Sequence, residues 1–172
     1  MTEQKDCCGS TSCGQTCKLI AIAGVALLVY IFLSDWVIHG LILKPTYMAT
    51  ASLWRPEVEM QQGFFFVMLA GQALIALAMT LIFSKGYEGR GLLEGVRFGL
   101  YFSMVGAANN LIFYAVQPLP CALVGAWIGL GTVQSVGGGT LLALIFGRCY
   151  GTCCREEGDK KRGCCSHESS KQ

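Results

Sequence analysis

Apolar residues gather in four long blocks along this chain, at about residues 19–43, 63–83, 98–116 and 121–147, and the polar positions gather between them. About 20 residues of helix, rising about 1.5 Å each, cross the roughly 30 Å hydrocarbon core of a bilayer. Each block therefore predicts one membrane-spanning helix. The fold class that follows is all-α: an integral membrane four-helix bundle of two antiparallel hairpins with flexible, Cys-rich termini. The turn Gln117-Pro118-Leu119-Pro120 leaves the third and fourth spans no arrangement other than antiparallel neighbours. The domain limits are a polar tail over 1–18, a transmembrane domain over 19–147 and a second tail over 148–172. The first block follows a polar tail, is too long for a signal-peptide core and lacks a small-residue cleavage site, so it is expected to remain as a span.

Polar residues inside the blocks carry the candidate chemistry. Asp35 and His39 interrupt the outer half of the first span four residues apart, a spacing that puts both on one helical face. Counted from Lys44 at the helix rise, His39 lies about 7 Å and Asp35 about 13 Å below the boundary. The same count places Gln72 about 13 Å below Gly63, and Asn109 and Asn110 about 10 to 12 Å below Gln117. One polar layer of Asp35, Gln72 and Asn109 or Asn110 is therefore expected, with His39 above it and Thr132 and Gln134 of the last span somewhat deeper. Two readings of such a layer stand. A charge within a span costs at least about 2.5 kcal/mol and tends to mark an ion, proton or substrate path. Interhelical amides and hydroxyls also serve as plain packing bonds worth about 0.6 kcal/mol each.

The third and fourth spans carry small residues at four-residue spacing: Gly91, Gly95 and Gly99, then Gly125 and Gly129, then Gly139, Ala143 and Gly147. Such faces let helices approach closely. Gly137-Gly138-Gly139 is expected to loosen the last helix locally. The segment from Lys44 to Gln62 mixes Tyr47, Met48, Leu53 and Trp54 with charges, as suits a stretch lying in the headgroup zone over the polar layer. Pro56 predicts that any helix there restarts after Arg55.

Composition agrees with lipid as the solvent: 53% of the 172 residues are apolar and only 14% charged, with a mean hydropathy of +0.50. The net charge of +2 comes without a basic stripe and gives no case for a nucleic-acid partner. The expected partners are the lipid bilayer and a second copy or other membrane subunits. Of the 13 Lys and Arg residues, only Lys44 and Arg55 fall on the side of the 44–62 loop. The positive-inside rule then places both termini in the cytoplasm.

That orientation gives the thiols a compartment. Cys7, Cys8, Cys13, Cys17, Cys149, Cys153, Cys154, Cys164 and Cys165 lie on the two tails, facing a reducing interior. With His167 they form a candidate ligand set for a soft metal ion such as Cu, Zn or Hg, because thiolates prefer such ions and both tails leave the same face. The spacing contains no Cys-x-x-Cys and fits helical turns equally well. Incidental thiols, or juxtamembrane palmitoylation at Cys17 and Cys149, are the other reading. Cofactors are otherwise not implied. The chain has no Ser/His/Asp order, no His-Glu-x-x-His and no phosphate loop, so an enzyme is not expected. Cys121 begins the last span as a packing residue.

The run Tyr47, Ala49-Thr50-Ala51-Ser52-Leu53-Trp54-Arg55-Pro56-Glu57 and Glu59-Met60, followed by Lys85-Gly86-Tyr87-Glu88-Gly89 and Glu94-Gly95, with Asp35 and His39 upstream, resembles a group of small bacterial four-span membrane proteins of unassigned function. The resemblance covers about residues 19–147. It implies four spans and a bacterial inner-membrane home, and it brings no substrate, cofactor or catalytic residue; the cysteine tails lie outside it. The expected role is the handling of a soft metal ion or small solute through cytoplasmic thiols and the intramembrane Asp/His/Asn/Gln layer. The alternative is a structural or assembly subunit without transport activity.

Overall fold

The computed structural model describes residues 13–165, with side chains described over 18–148. Among these residues every regular element is a helix. Helix α1 (Cys13–Asp35) continues as a π-helical stretch, Trp36–Ile42. A short α2 (Lys44–Ala49) and a 3-10 turn (Ala51–Leu53) follow. Then α3 (Glu57–Glu59) leads through a second π-helical stretch, Met60–Phe64, into α4 (Phe65–Gly86). The last two are α5 (Leu92–Val116) and α6 (Cys121–Cys165). Backbone of α1 and α6 thus reaches into the stretches expected as tails.

Four helical runs are long and apolar enough to cross a membrane: Lys18–Ile42, Glu57–Gly86, Leu92–Val116 and Cys121–Arg148. Their outer surfaces expose large apolar side chains, including Val25, Leu74, Met104 and Val133. An apolar exterior this extensive suits lipid, where all backbone groups must be satisfied within helices. The all-α four-helix arrangement expected from the sequence is what the chain forms, and its composition and helix lengths are those of a multi-pass membrane protein.

The bundle has two ends. The start of α1, the 87–91 turn and the far part of α6 share one, here termed the terminal end. The 43–56 segment and the 117–120 turn share the other, the loop end. The helix restarts at Glu57 directly after the extended backbone of Pro56 (ψ 143°), one residue beyond the restart expected after Arg55. The second span therefore begins earlier than the apolar block suggests, and it bends at Gly63, whose φ of 147° favours glycine over any side chain. At the terminal end, Glu94 accepts the backbone N–H groups of Glu88 and Arg90 at 2.6 and 2.9 Å, so one carboxylate organises the turn and the start of α5.

Helix α5 packs chiefly on α6, while α1 packs on α4 and α6. The α5–α6 seam depends on missing side chains. A Cβ on Gly95 would collide with the Gly139 carbonyl and with Ala143, and one on Gly99 with the Ser135 carbonyl. Of the repeated small residues, Gly125 and Gly129 meet nothing within 4 Å and contribute no seam. The expected loosening at 137–139 does not occur, since α6 runs unbroken through all three glycines. Their bare surface receives neighbouring side chains instead: Tyr30 packs against Gly137 and Leu27 against Gly138.

The core lies toward the terminal end. Ala23, Leu27, Ala76, Met79, Leu142 and Phe146 are buried there with Phe83. Around Phe83 the rings of Tyr87, Phe98 and Phe146 stand 5.5, 5.2 and 5.6 Å away, centre to centre. The pairs with Phe98 and Phe146 are edge-to-face, an arrangement that adds about 0.5–1.5 kcal/mol per pair beyond burial.

Candidate functional site

The candidate site lies in the loop half, and its walls follow helical periodicity. Leu27, Ile31 and Asp35 share one face of α1, and Gln72, Ile75 and Met79 one face of α4. On α6 the stripe is Trp127, Gly131, Gln134, Ser135 and Gly138, while α5 contributes Phe102, Ser103 and Asn110. Together they line a cavity of about 230 Å³. A second cavity of about 390 Å³ adjoins it, sharing Asn110, Trp127, Gly131 and Gln134 and adding His39, Asn109 and Phe113. The two are neighbours, and their linings together extend from His39 to Gly138.

Asp35 is the centre of the polar wall. Gln72 Nε2 donates to its Oδ2 at 2.6 Å, and Gln134 Nε2 donates to its Oδ1 at 2.7 Å. Each carboxylate oxygen thus takes an amide N–H from a different helix, which ties α1 to α4 and α6 at one level. Gln134 Nε2 also donates to Ser34 Oγ at 2.8 Å, and Tyr30 donates its hydroxyl hydrogen to the Gln134 backbone carbonyl at 3.2 Å. Gln72 is only 6% exposed. Its Oε1 is buried and has no hydrogen-bond partner.

Above this layer sits a second one. His39 Nε2 is 4.0 Å from Asp35 Oδ1, beyond hydrogen-bond reach. Its Nδ1 is 2.6 Å from the Tyr47 hydroxyl, which also accepts the indole N–H of Trp127 at 2.8 Å. Indole N–H is a donor only. The Tyr47 oxygen therefore accepts from Trp127, and the direction of its bond with His39 Nδ1 is set by the imidazole tautomer. Burial pushes the Tyr47 hydroxyl above its ordinary pKa of 10.0; the Trp127 hydrogen bond opposes this, and the nearby Asp35 charge adds to it. The phenol thus stays protonated at neutral pH and able to donate.

Aromatic packing completes the cap. Trp54 stands edge-on to Tyr47 at 5.3 Å and to Trp127 at 6.0 Å, and its N–H donates to Thr50 Oγ1 at 2.9 Å. The 44–56 segment is fastened across the loop ends of α1 and α6 by these rings.

Of the sequence-expected residues, Asp35, Gln72 and Gln134 are brought into direct contact. Gln134 is level with Asp35, not below it, because α6 starts beyond the end of α1: Trp127 is already opposite Tyr47 of the cap. Asn110 lines both cavities and Asn109 only the outer one, as consecutive helical residues point about 100° apart. Neither joins the hydrogen-bonded layer. Thr132 turns its hydroxyl back to the Ile128 carbonyl and takes no part. Sequence reasoning missed Trp127 and placed Tyr47 in a headgroup-zone segment over the polar layer without giving it a partner there. The i, i+4, i+7 spacing of Trp127, Gly131 and Gln134 was the signal for the first.

The thiol set divides differently. Cys7, Cys8 and His167 fall outside the described residues, as do the side chains of Cys13, Cys17, Cys149, Cys153, Cys154, Cys164 and Cys165. Among the described residues no group of three or more His, Cys, Asp or Glu side chains converges as a metal site would require. Cys121 is exposed at the loop end, where it was expected to pack. No family model matches this chain, and no curated protein and no solved structure matches it either.

Proposed function

We propose that this chain is a multi-pass protein of a bacterial inner membrane that binds a small solute in the Asp35 cavity, admitting it from the loop end, and that it is not an enzyme. One observation carries the reading: the carboxylate that two other helices clasp stands in the wall of a hollow rather than in a packed interface. A layer serving only to fix helices gains nothing from the adjoining space, and packed interiors contain few voids larger than a water molecule. The excess of Lys and Arg on the terminal side supports a cytoplasmic location for both tails. The loop-end mouth then faces away from the cytoplasm.

The competing role is a structural or assembly subunit, favoured by the three helices that the Asp35 amide bonds join. Trp127 separates the two. With Trp36→Phe and Trp54→Phe it becomes the sole indole, and in lipid nanodiscs its fluorescence is expected to be quenched by water-soluble acrylamide. Insensitivity to the quencher would mean a dry layer and the subunit role. Orientation has its own check: an impermeant maleimide on intact cells should label Cys121 and spare the tails, so that Cys121→Ser removes the signal.

A further inference from the structure

We infer that the ligand of this cavity is a small protonated amine with an apolar body. The inference rests on the solute-binding reading above and names the class of solute. Charge comes first. Asp35 takes two amide N–H groups, which leaves about two of its roughly four lone-pair sites unused. The one basic group within 4.0 Å among the described residues is His39, whose Nδ1 is already engaged by Tyr47. A carboxylate held in a low-dielectric wall calls for a compensating cation.

The hydrogen-bond inventory narrows the cation. Gln72 Oε1 is an acceptor with no partner, buried beside Asp35 in a residue 94% removed from solvent. An atom so enclosed offers a ligand in the cavity no acceptor, which leaves Asp35 as the acceptor. An ammonium group carries three N–H donors for the unused lone pairs of Asp35. A quaternary ammonium carries none. A bare metal ion would need several converging oxygen or nitrogen ligands, and no group of three or more His, Cys, Asp or Glu is present among the described residues.

The remaining walls set the body of the ligand. Ile75, Met79 and Phe102 form apolar lining next to the polar corner, and Trp127 closes the outer side. At about 230 Å³, the inner cavity matches the share of about eight water molecules at roughly 30 Å³ each. That is below the 300 Å³ or so at which pockets for drug-sized molecules begin, so the ligand is a compact amine.

Calorimetric titration of the full chain in nanodiscs with phenethylammonium, its neutral counterpart 2-phenylethanol, phenyltrimethylammonium and 3-phenylpropionate tests this. The primary amine should bind at least about tenfold more tightly than the alcohol or the quaternary ion, the difference expected of charge-assisted hydrogen bonds. The carboxylate should not bind. Asp35→Asn should erase the preference for the amine over both the alcohol and the quaternary ion. Equal affinity for amine and alcohol in the unmodified chain would overturn the amine assignment while a solute cavity stands, and it decides the matter even if a variant fails to fold. Binding of none of the four would remove the solute-binding reading as well.

Discussion

The terminal half and the loop half of the bundle are built from the same four helices and fill their interiors by opposite means. In the terminal half the gaps are closed by rings: Phe83 is ringed by Tyr87, Phe98 and Phe146, and bare glycines on α5 and α6 let the backbones meet. In the loop half a hollow lies between the helices, and the polar contacts that join α1 to α4 and α6 centre on one carboxylate accepting two amides. Lipid explains why the two strategies coexist. Apolar side chains gain no hydrophobic drive against apolar lipid, so helix association rests on close packing or on interhelical hydrogen bonds. A bundle sealed by packing at one end has stability to spare for a hollow at the other.

The largest effect belongs to the seam. Gly139→Val would drive a side chain into the Gly95 backbone, and a loss of about 3 kcal/mol in the stability of the folded bundle is expected from such overpacking. Unfolding in mixed micelles measures it. Phe83→Ala opens the ring cluster and should cost about 2–3 kcal/mol, toward the lower end for large aromatics since lipid blunts the transfer part. The loop half should respond on another axis. Asp35→Asn removes the charge and should shift stability by only about 1 kcal/mol, since two interhelical bonds average about 0.6 kcal/mol each. Its consequence should appear in ligand binding instead. A bundle that collapses on Asp35→Asn and shrugs off Phe83→Ala would invert the division between the halves.

A smaller effect is tied to pH. The pKa of Tyr47 is raised in the folded chain above its ordinary 10.0, first by burial. The unfolded phenol therefore loses its proton at lower pH than the folded one. Stability from this group is fully present below pH 10.0 and is lost as pH rises through the higher folded value. An alkaline release of the cap, followed by Trp54 and Trp127 fluorescence, is expected to vanish in Tyr47→Phe. The smallest change is expected from Asn109→Ala, which should stay within about 0.5 kcal/mol of the parent because Asn109 is exposed and outside the hydrogen-bonded layer.

Much of this was legible in the residue order. Blocks of apolar positions gave four spans, and counting the helix rise from each boundary brought Asp35 and Gln72 to one level, as the 2.6 Å bond between them shows. The count misplaced Gln134 because it took every span to begin at the same height, whereas α6 starts alongside the cap. Tyr47 and Trp127 meet across 80 residues, and no local pattern announces a contact of that separation. Small-residue repeats showed that α5 and α6 approach closely but not which members touch. Gly95 and Gly139 do, and Gly125 and Gly129 do not, because the side facing a neighbour depends on the helix-packing geometry and not on the repeat itself.

Thiol access along α6 tests the division between the halves most directly. Single cysteines introduced by Gly131→Cys, Ser135→Cys and Leu142→Cys, in a background lacking the native thiols, would be exposed in nanodiscs to a small charged methanethiosulfonate. Gly131→Cys and Ser135→Cys line the hollow and are predicted to react, and Leu142→Cys, fully buried in the aromatic half, is predicted to stay unmodified. Protection of all three positions would contradict the account, since the loop half would then be as dry and closed as the terminal half.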